Sequence, residues 1–362
     1  MTQTLHLWIA ASSLGLLLAA CGDDSGGSTE TSTSEVTSSS SSSSSSNGSS
    51  TDSSSSEGSS STSTSSTSTG GSETGEACLE QDIELPGEAF YPEGVAAYGE
   101  ILFIGSAATG EIVRADSCSG TVENLVPAGI LPGTIGLRVD AARNILWACA
   151  FDSTQVEFSS LNAFDLDSGE HLGAHSWESP GFCNDVALDA KGNVYATDSY
   201  GHRIVRVASK DALDDTAVET WLADPAFVVP AGEIGLNGIT WEAGLLRVVT
   251  TADGRLLEVS IEGDGSPGAV TVTGEAGTLA GPDGMIPHEG GLLMVEGVAT
   301  RLSLVNPDDL TVTPIAEGFD FPTTVAVVGD TAWVAEAQFD HLLGLDPAPP
   351  TLPFRVRRVP LQ

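Results

Sequence analysis

The chain is 362 residues long and carries 50 acidic against 13 basic side chains, a formal charge of -37. A surface of that sign repels phosphate backbones, which excludes nucleic-acid binding, and most of its carboxylates serve solubility. The first seventy-odd residues cannot contribute to a core, so roughly 285 remain, enough for one large domain and too few for a second of similar size.

Leu5 to Ala20 is apolar, interrupted by His6, Ser12 and Ser13. It is short for a membrane span and suits the hydrophobic region of a secretory signal, although residues 1 to 6 hold no lysine or arginine. It ends in Leu18-Ala19-Ala20-Cys21, which resembles the lipobox of bacterial lipoproteins. That resemblance implies a signal peptide over 1–20, cleavage before Cys21 and lipid on that cysteine. The protein would then be exported and anchored to a bacterial membrane at the cell envelope without spanning it. An ordinary cleaved signal is the alternative. Residues 21–77 comprise this cysteine and a Ser/Thr-rich linker, expected to be disordered because almost nothing apolar offsets the entropy of ordering. As a coil of about 55 residues it reaches roughly 40 Å on average.

Residues 78–362 form the expected folded domain. With Cys21 assigned to lipid, Cys78, Cys118, Cys149 and Cys183 remain in an oxidising setting, and four cysteines allow three pairings. We take Cys78 with Cys118, pinning the segment ahead of the first repeat to an outer turn, and Cys149 with Cys183. No histidine lies close to Cys183 in sequence to make it a nucleophile.

From there one unit recurs. Glu93-Gly94-Val95 opens the first copy, with Ile101 to Ile104 as a second strand and a Thr109-Gly110 turn. A weaker copy opens at Ile135-Gly136-Leu137. The clearest runs from Gly181 to Val207. There Val186 and Leu188 alternate with small or polar residues, Lys191-Gly192-Asn193 turns the chain, Val194 to Ala196 return, and Tyr200-Gly201-His202 reverses it before Ile204. Asn237-Gly238-Ile239 opens the next copy, with Leu245 to Thr250 and an Asp253-Gly254 turn. Asp283-Gly284-Met285 and Thr323-Thr324-Val325 open the last two. The starts are roughly 40 to 53 residues apart, the period of propeller blades, and helical periodicity is missing. The fold class is therefore all-β, a six-bladed β-propeller of four-stranded blades. Both Leu79 to Leu85 and Phe354 to Leu361 alternate like strands, and either can supply the last outer strand. Closure hides the sheet edges, so a monomer is expected.

In a propeller the inner strands surround the axis and run the same way, so their opening residues form a ring at one mouth of the channel. That ring is Glu93, Ile135, Asn184, Asn237, Asp283 and Thr323. Glu93, Asn184, Asn237 and Asp283 offer oxygen, which suits Ca2+, a hard cation with six to eight oxygen ligands; two carboxylates balance its charge. Zinc would prefer histidine or cysteine, which the ring lacks. Any one of these residues alone reads as a turn former, Glu93 excepted. Asp185 is expected to brace its own strand through backbone amides. His288 and His341 have no spacing that puts them at the mouth, and His202 fits a repeated structural position.

Pro92-Glu93-Gly94-Val95, Asn184-Asp185, Leu236-Asn237-Gly238-Ile239 and Pro282-Asp283-Gly284-Met285 resemble the senescence marker protein/gluconolactonase/luciferin-regenerating enzyme-like family. Paraoxonases and diisopropyl fluorophosphatase are more distant in resemblance. The likeness covers roughly residues 90 to 345 and implies one channel calcium held by Glu93, Asn237 and Asp283. Asn184 would be a further ligand or a substrate contact. It also implies hydrolysis of a lactone or small ester, with Asp283 activating water or attacking directly. One departure is Phe182, where sugar-lactone members carry arginine; it points either to a more apolar ligand or to a packed aromatic. The competing reading is a non-catalytic, calcium-stabilised propeller that binds a ligand or protein partner.

Overall fold

Six inner strands, one per blade, surround the axis: β2 (Pro92–Tyr98), β6 (Thr134–Asp140), β10 (Cys183–Leu188), β14 (Leu236–Glu242), β18 (Pro282–His288) and β22 (Pro322–Val328). Each heads a four-stranded antiparallel sheet, and the six sheets form a propeller. The computed structural model describes residues 80–361 except 153–157, 179–180 and 216–217. The expected signal peptide, Cys21, the linker and Cys78 lie outside the described residues.

The second strands are β3 (Ile101–Ser106), β7 (Ile145–Phe151), β11 (Val194–Asp198), β15 (Leu245–Thr250), β19 (Gly291–Glu296) and β23 (Thr331–Glu336). They read as nearly continuous apolar runs because both faces are covered. In β7, Ile145, Trp147 and Cys149 pack with the third blade, while Leu146, Ala148 and Ala150 pack with the first. The core accordingly consists of six clusters, each shared by two adjacent blades.

Both terminal segments enter the sixth blade. β24 (Arg355–Pro360) is its third strand and β1 (Ile83–Glu84) its outer one, with Ile83 opposite Val356 and Glu84 opposite Arg355. A disulfide joins Cys149 of β7 to Cys183, the first residue of β10, as expected. It spans a sequence separation of 34 residues between neighbouring blades. By loop-closure entropy such a link stabilises the fold by about 3–4 kcal/mol. Cys118 is also disulfide-bonded.

A second tie repeats at the mouth. Where β11, β19 and β23 end, Asp198, Glu296 and Glu336 are buried. They accept the backbone amides of Phe182, Ala280 and Asp320, on the peptides leading into the inner strands of their own blades. Each carboxylate is neutralised by an arginine at the start of the third strand: Arg203, Arg301 and Arg355. Buried acids of this kind are tolerated because charge and hydrogen bonds are both satisfied.

Candidate metal centre at the channel mouth

All six predicted ring residues stand second in their inner strands. In every inner strand the ladder pairs the first residue, slips, and resumes at the fourth. Such a bulge frees the second side chain from the pleat and re-aims it. The third residue is glycine in four blades because the neighbouring strand lies against it. A Cβ on Gly94 would fall 2.1 Å from the Ile135 carbonyl oxygen, and one on Gly238 would fall 2.2 Å from that of Asp283. These contacts draw adjacent inner strands together at the level of the ring.

Glu93, Asn184, Asn237, Ile135 and Thr323 are buried, and Asp283 is partly so. The amides are oriented by hydroxyls on the adjoining strand ends. Thr251 Oγ1 donates to the Pro282 carbonyl and therefore accepts from Asn237 Nδ2. Ser199 Oγ donates to the Leu236 carbonyl and accepts from Asn184 Nδ2 in the same way. Both asparagines thus have their nitrogens fixed, leaving the oxygens as the free ends. Asn237 Oδ1 and Glu93 Oε2 are buried without a hydrogen-bond partner. Buried acceptors are rarely left unsatisfied, and two orphaned oxygens in one acidic site fit a cation.

The electrostatics agree. Burial pushes the Glu93 pKa well above the ordinary carboxylate range, with added repulsion from Asp283 and Asp185. Burial, then Asp185, pushes Asp283 up to about 8, against the opposing hydrogen bonds of the Gly284 amide and the Asn237 side chain. Asp283 and Asp185 thus raise the proton affinity of Glu93, Asp185 raises that of Asp283, and the Asn237 side chain hydrogen-bonds Asp283. Asn184 lies at the same level of the ring, held through Ser199. Ile135 and Thr323 supply no ligand; Thr323 donates instead to the Glu93 carbonyl and ties the sixth blade to the first.

Asp185 braces the strand as expected, accepting the Val186 amide at 2.7 Å and the Ile239 amide at 3.0 Å. Its pKa is nonetheless raised by burial, although Arg138 opposes the rise. Arg138 was not among the predicted residues. It sits fifth in β6, its guanidinium beside Asp185 and 3.5 Å from Thr240 Oγ1 of β14. Burial lowers its pKa, which Asp185 partly offsets. Guanidinium stays charged even so. The signal for it was in the repeat. The fifth inner-strand positions are Ala96, Arg138, Ala187, Thr240, Ile286 and Ala326, and a lone arginine in that column marks a channel cation. Three carboxylates against one guanidinium leave two formal negative charges, enough to balance a divalent cation.

His288 ends β18 at the far end of its inner strand. His341 stands on the mouth side, which no spacing indicated, in a helical turn, α1 (Phe339–Leu342), of the long connection between β23 and β24. With Asp340 and Asp346 it forms a separate acidic group whose ligand atoms lie within 4.8 Å of one another.

No family model matches the chain, and no curated protein matches it in sequence. Solved structures do resemble it. A calcium-binding protein, regucalcin, from Agrobacterium tumefaciens is 16% identical, with a TM-score of 0.56 over 78% of this chain and 95% of that one. A gluconolactonase from Xanthomonas campestris is 14% identical, with a TM-score of 0.54 over 79% and 96%. The PQQ-bound aldose sugar dehydrogenase of Streptomyces coelicolor is 18% identical, with a TM-score of 0.54 over 78% and 97%. At these identities the likeness is one of architecture, and it places the chain among the six-bladed propellers.

Proposed function

We propose that the protein is a calcium-dependent hydrolase of a lactone or small ester. The observation that carries this reading is the pair of buried, unpartnered oxygens, Glu93 Oε2 and Asn237 Oδ1, beside the Asp283 carboxylate. Glu93, Asn184, Asn237 and Asp283 would hold the ion, and Asp185, already committed to two amides and facing Arg138, would stay outside its ligand set. The donors are all oxygen, hard and partly anionic, the chemistry calcium selects. A polyanionic cofactor would instead meet three carboxylates here. Two of the similar structures, named as a calcium-binding protein and a gluconolactonase, are consistent with the reading.

When bound, calcium supplies a Lewis acid that polarises an ester carbonyl and stabilises charge on its oxygen. Asp283, ionised in that state, takes the proton of the attacking water. The water oxygen bonds to the acyl carbon, the ring or ester C–O bond breaks, and the proton passes to the departing oxygen. Asn184, anchored through Ser199, orients the substrate or completes the ion's ligands.

Calorimetric titration of the metal-free domain with calcium is expected to show a single high-affinity ion, and turnover of simple lactones is expected to depend on it. Absence of calcium binding would sink the assignment. Binding without turnover over a broad lactone and aryl-ester panel would favour the non-catalytic propeller.

We also propose that Leu18-Ala19-Ala20-Cys21 directs export and lipid attachment, holding the propeller at the cell envelope. Metabolic labelling with a fatty acid should mark the wild-type protein and be lost in Cys21→Ser. Equal labelling of both would refute it.

A further inference from the structure

Three aromatic rings meet on the mouth face beside Asn184. Phe151 is the last residue of β7, Phe182 lies two residues before Asn184, and Tyr200 follows β11 in the turn. The ring centroids of Phe151 and Phe182 are 4.2 Å apart, those of Phe182 and Tyr200 5.4 Å, and those of Phe151 and Tyr200 6.1 Å. All three are partly exposed while their inner sides rest on the core shared by the second and third blades or on each other. A span of two residues places Phe182 within about 7 Å of Asn184 along the backbone.

The positions equivalent to Phe182 are Tyr91, Gly133, Gly235, Gly281 and Phe321. The two other aromatics are engaged by the long connection between β23 and β24. Tyr91 lies 4.6 Å from Phe354, which is fully buried, and Phe321 lies 5.8 Å from Phe339 of α1. The second and third blades thus carry their own aromatic wall. The charges around it narrow what it can take. The mouth-side arginines Arg203, Arg255, Arg301 and Arg355 are each paired with a carboxylate, and Arg138 is engaged with Asp185. Among the described residues a substrate carboxylate would find no spare arginine or lysine there, and it would meet Glu93 and Asp283.

We propose that Phe151, Phe182 and Tyr200 are the specificity surface of the site, seating the alkyl or aryl substituent of an uncharged lactone or ester. This rests on the hydrolase reading given above. The reactive carbonyl would lie at the ring, and the apolar substituent would lie across the aromatic wall toward the second blade. Apolar contact on such a wall is non-directional, so it selects by substituent length and area instead of by hydroxyl pattern.

The test is a homologous series of γ-lactones with methyl to octyl side chains, a phenyl-substituted member, and glucono-δ-lactone as the polar comparison. In the wild-type protein kcat/KM is expected to rise about two- to four-fold per methylene over the first several, and glucono-δ-lactone is expected to be the poorest. In Phe182→Ala the rise should flatten, the longer lactones losing more than the shortest, with calorimetric calcium affinity retained. Tyr200→Ala, in a turn and partly exposed, should reduce the slope too if Phe182→Ala fails to fold. A flat wild-type series, a preference for glucono-δ-lactone, or an equal loss for short and long lactones in the variants would overturn the proposal. Should no lactone or aryl ester be turned over, the hydrolase reading fails by itself, and the wall is read by calorimetric binding of non-hydrolysable 2-alkylcyclopentanones. Affinity rising with chain length, and lost in Phe182→Ala, upholds it; no dependence on length overturns it.

Discussion

Asp283→Asn is expected to lower turnover about a thousandfold while leaving the propeller folded. Three effects should appear together. The amide keeps the shape of the side chain, so blade packing around Gly238, which abuts the Asp283 backbone, is untouched. It removes one of the two uncompensated charges, so calcium affinity should fall by roughly 10- to 100-fold. It also relieves an acid whose pKa burial and Asp185 raise to about 8, so the metal-free variant should melt at a higher temperature than metal-free wild type. Kinetics, calorimetry and thermal melts on one preparation check all three. A variant that keeps its turnover would remove Asp283 from the chemistry, and one that melts lower without metal would contradict the repulsion inferred at the site.

Stability of the metal-free protein should fall as pH rises from about 4 toward 8. In the unfolded chain Glu93 and Asp283 ionise in the ordinary range near 4. In the folded metal-free chain both hold their protons to higher pH, Asp283 to about 8. Below pH 4 both states are protonated and these groups contribute nothing. Between the two limits the unfolded state binds fewer protons than the folded one, so each unit of pH favours unfolding, and the loss levels off once Asp283 ionises in the fold. Calcium reverses the trend by stabilising both carboxylates as anions. At a thousandfold excess over its Kd it should add about 4 kcal/mol, a shift of roughly 8–16 °C for a domain of this size. Its binding near pH 6 should also release protons, visible as a dependence of the calorimetric heat on the buffer. If chelator leaves the melting temperature unchanged between pH 5 and 8, the acids do not share an ion.

The repeat was legible because each blade restates one pattern. The openings Glu93-Gly94, Asn237-Gly238 and Asp283-Gly284 put a polar residue before a glycine that a neighbouring strand crowds, and the weak openings at Ile135 and Thr323 fell on the right register by period alone. The ring followed from that alignment. Arg138 was hidden because the ring is defined by the second position of each strand, while its partner Asp185 belongs to another blade and no spacing rule links them. The tie of Asp198, Glu296 and Glu336 to Arg203, Arg301 and Arg355 was equally hidden, since a charged residue at a strand end reads first as solvated surface. The mouth-side position of His341 was illegible for a different reason. Its connection interrupts the sixth blade between second and third strands, and a period counted from inner-strand starts does not register such an insertion.

The pairing of Ile83 with Val356 has a bearing on how the molecule comes into being. Blades one to five can each assemble as their four strands leave the ribosome, from contacts local in sequence. The earliest described strand must wait, edge unpaired, until a partner about 270 residues downstream has been made, and joining them carries the loop-closure entropy of the intervening chain. Shortening the C-terminus by the few residues of β24 would therefore leave five finished blades and two open flanks, prone to sticking to their like in other copies.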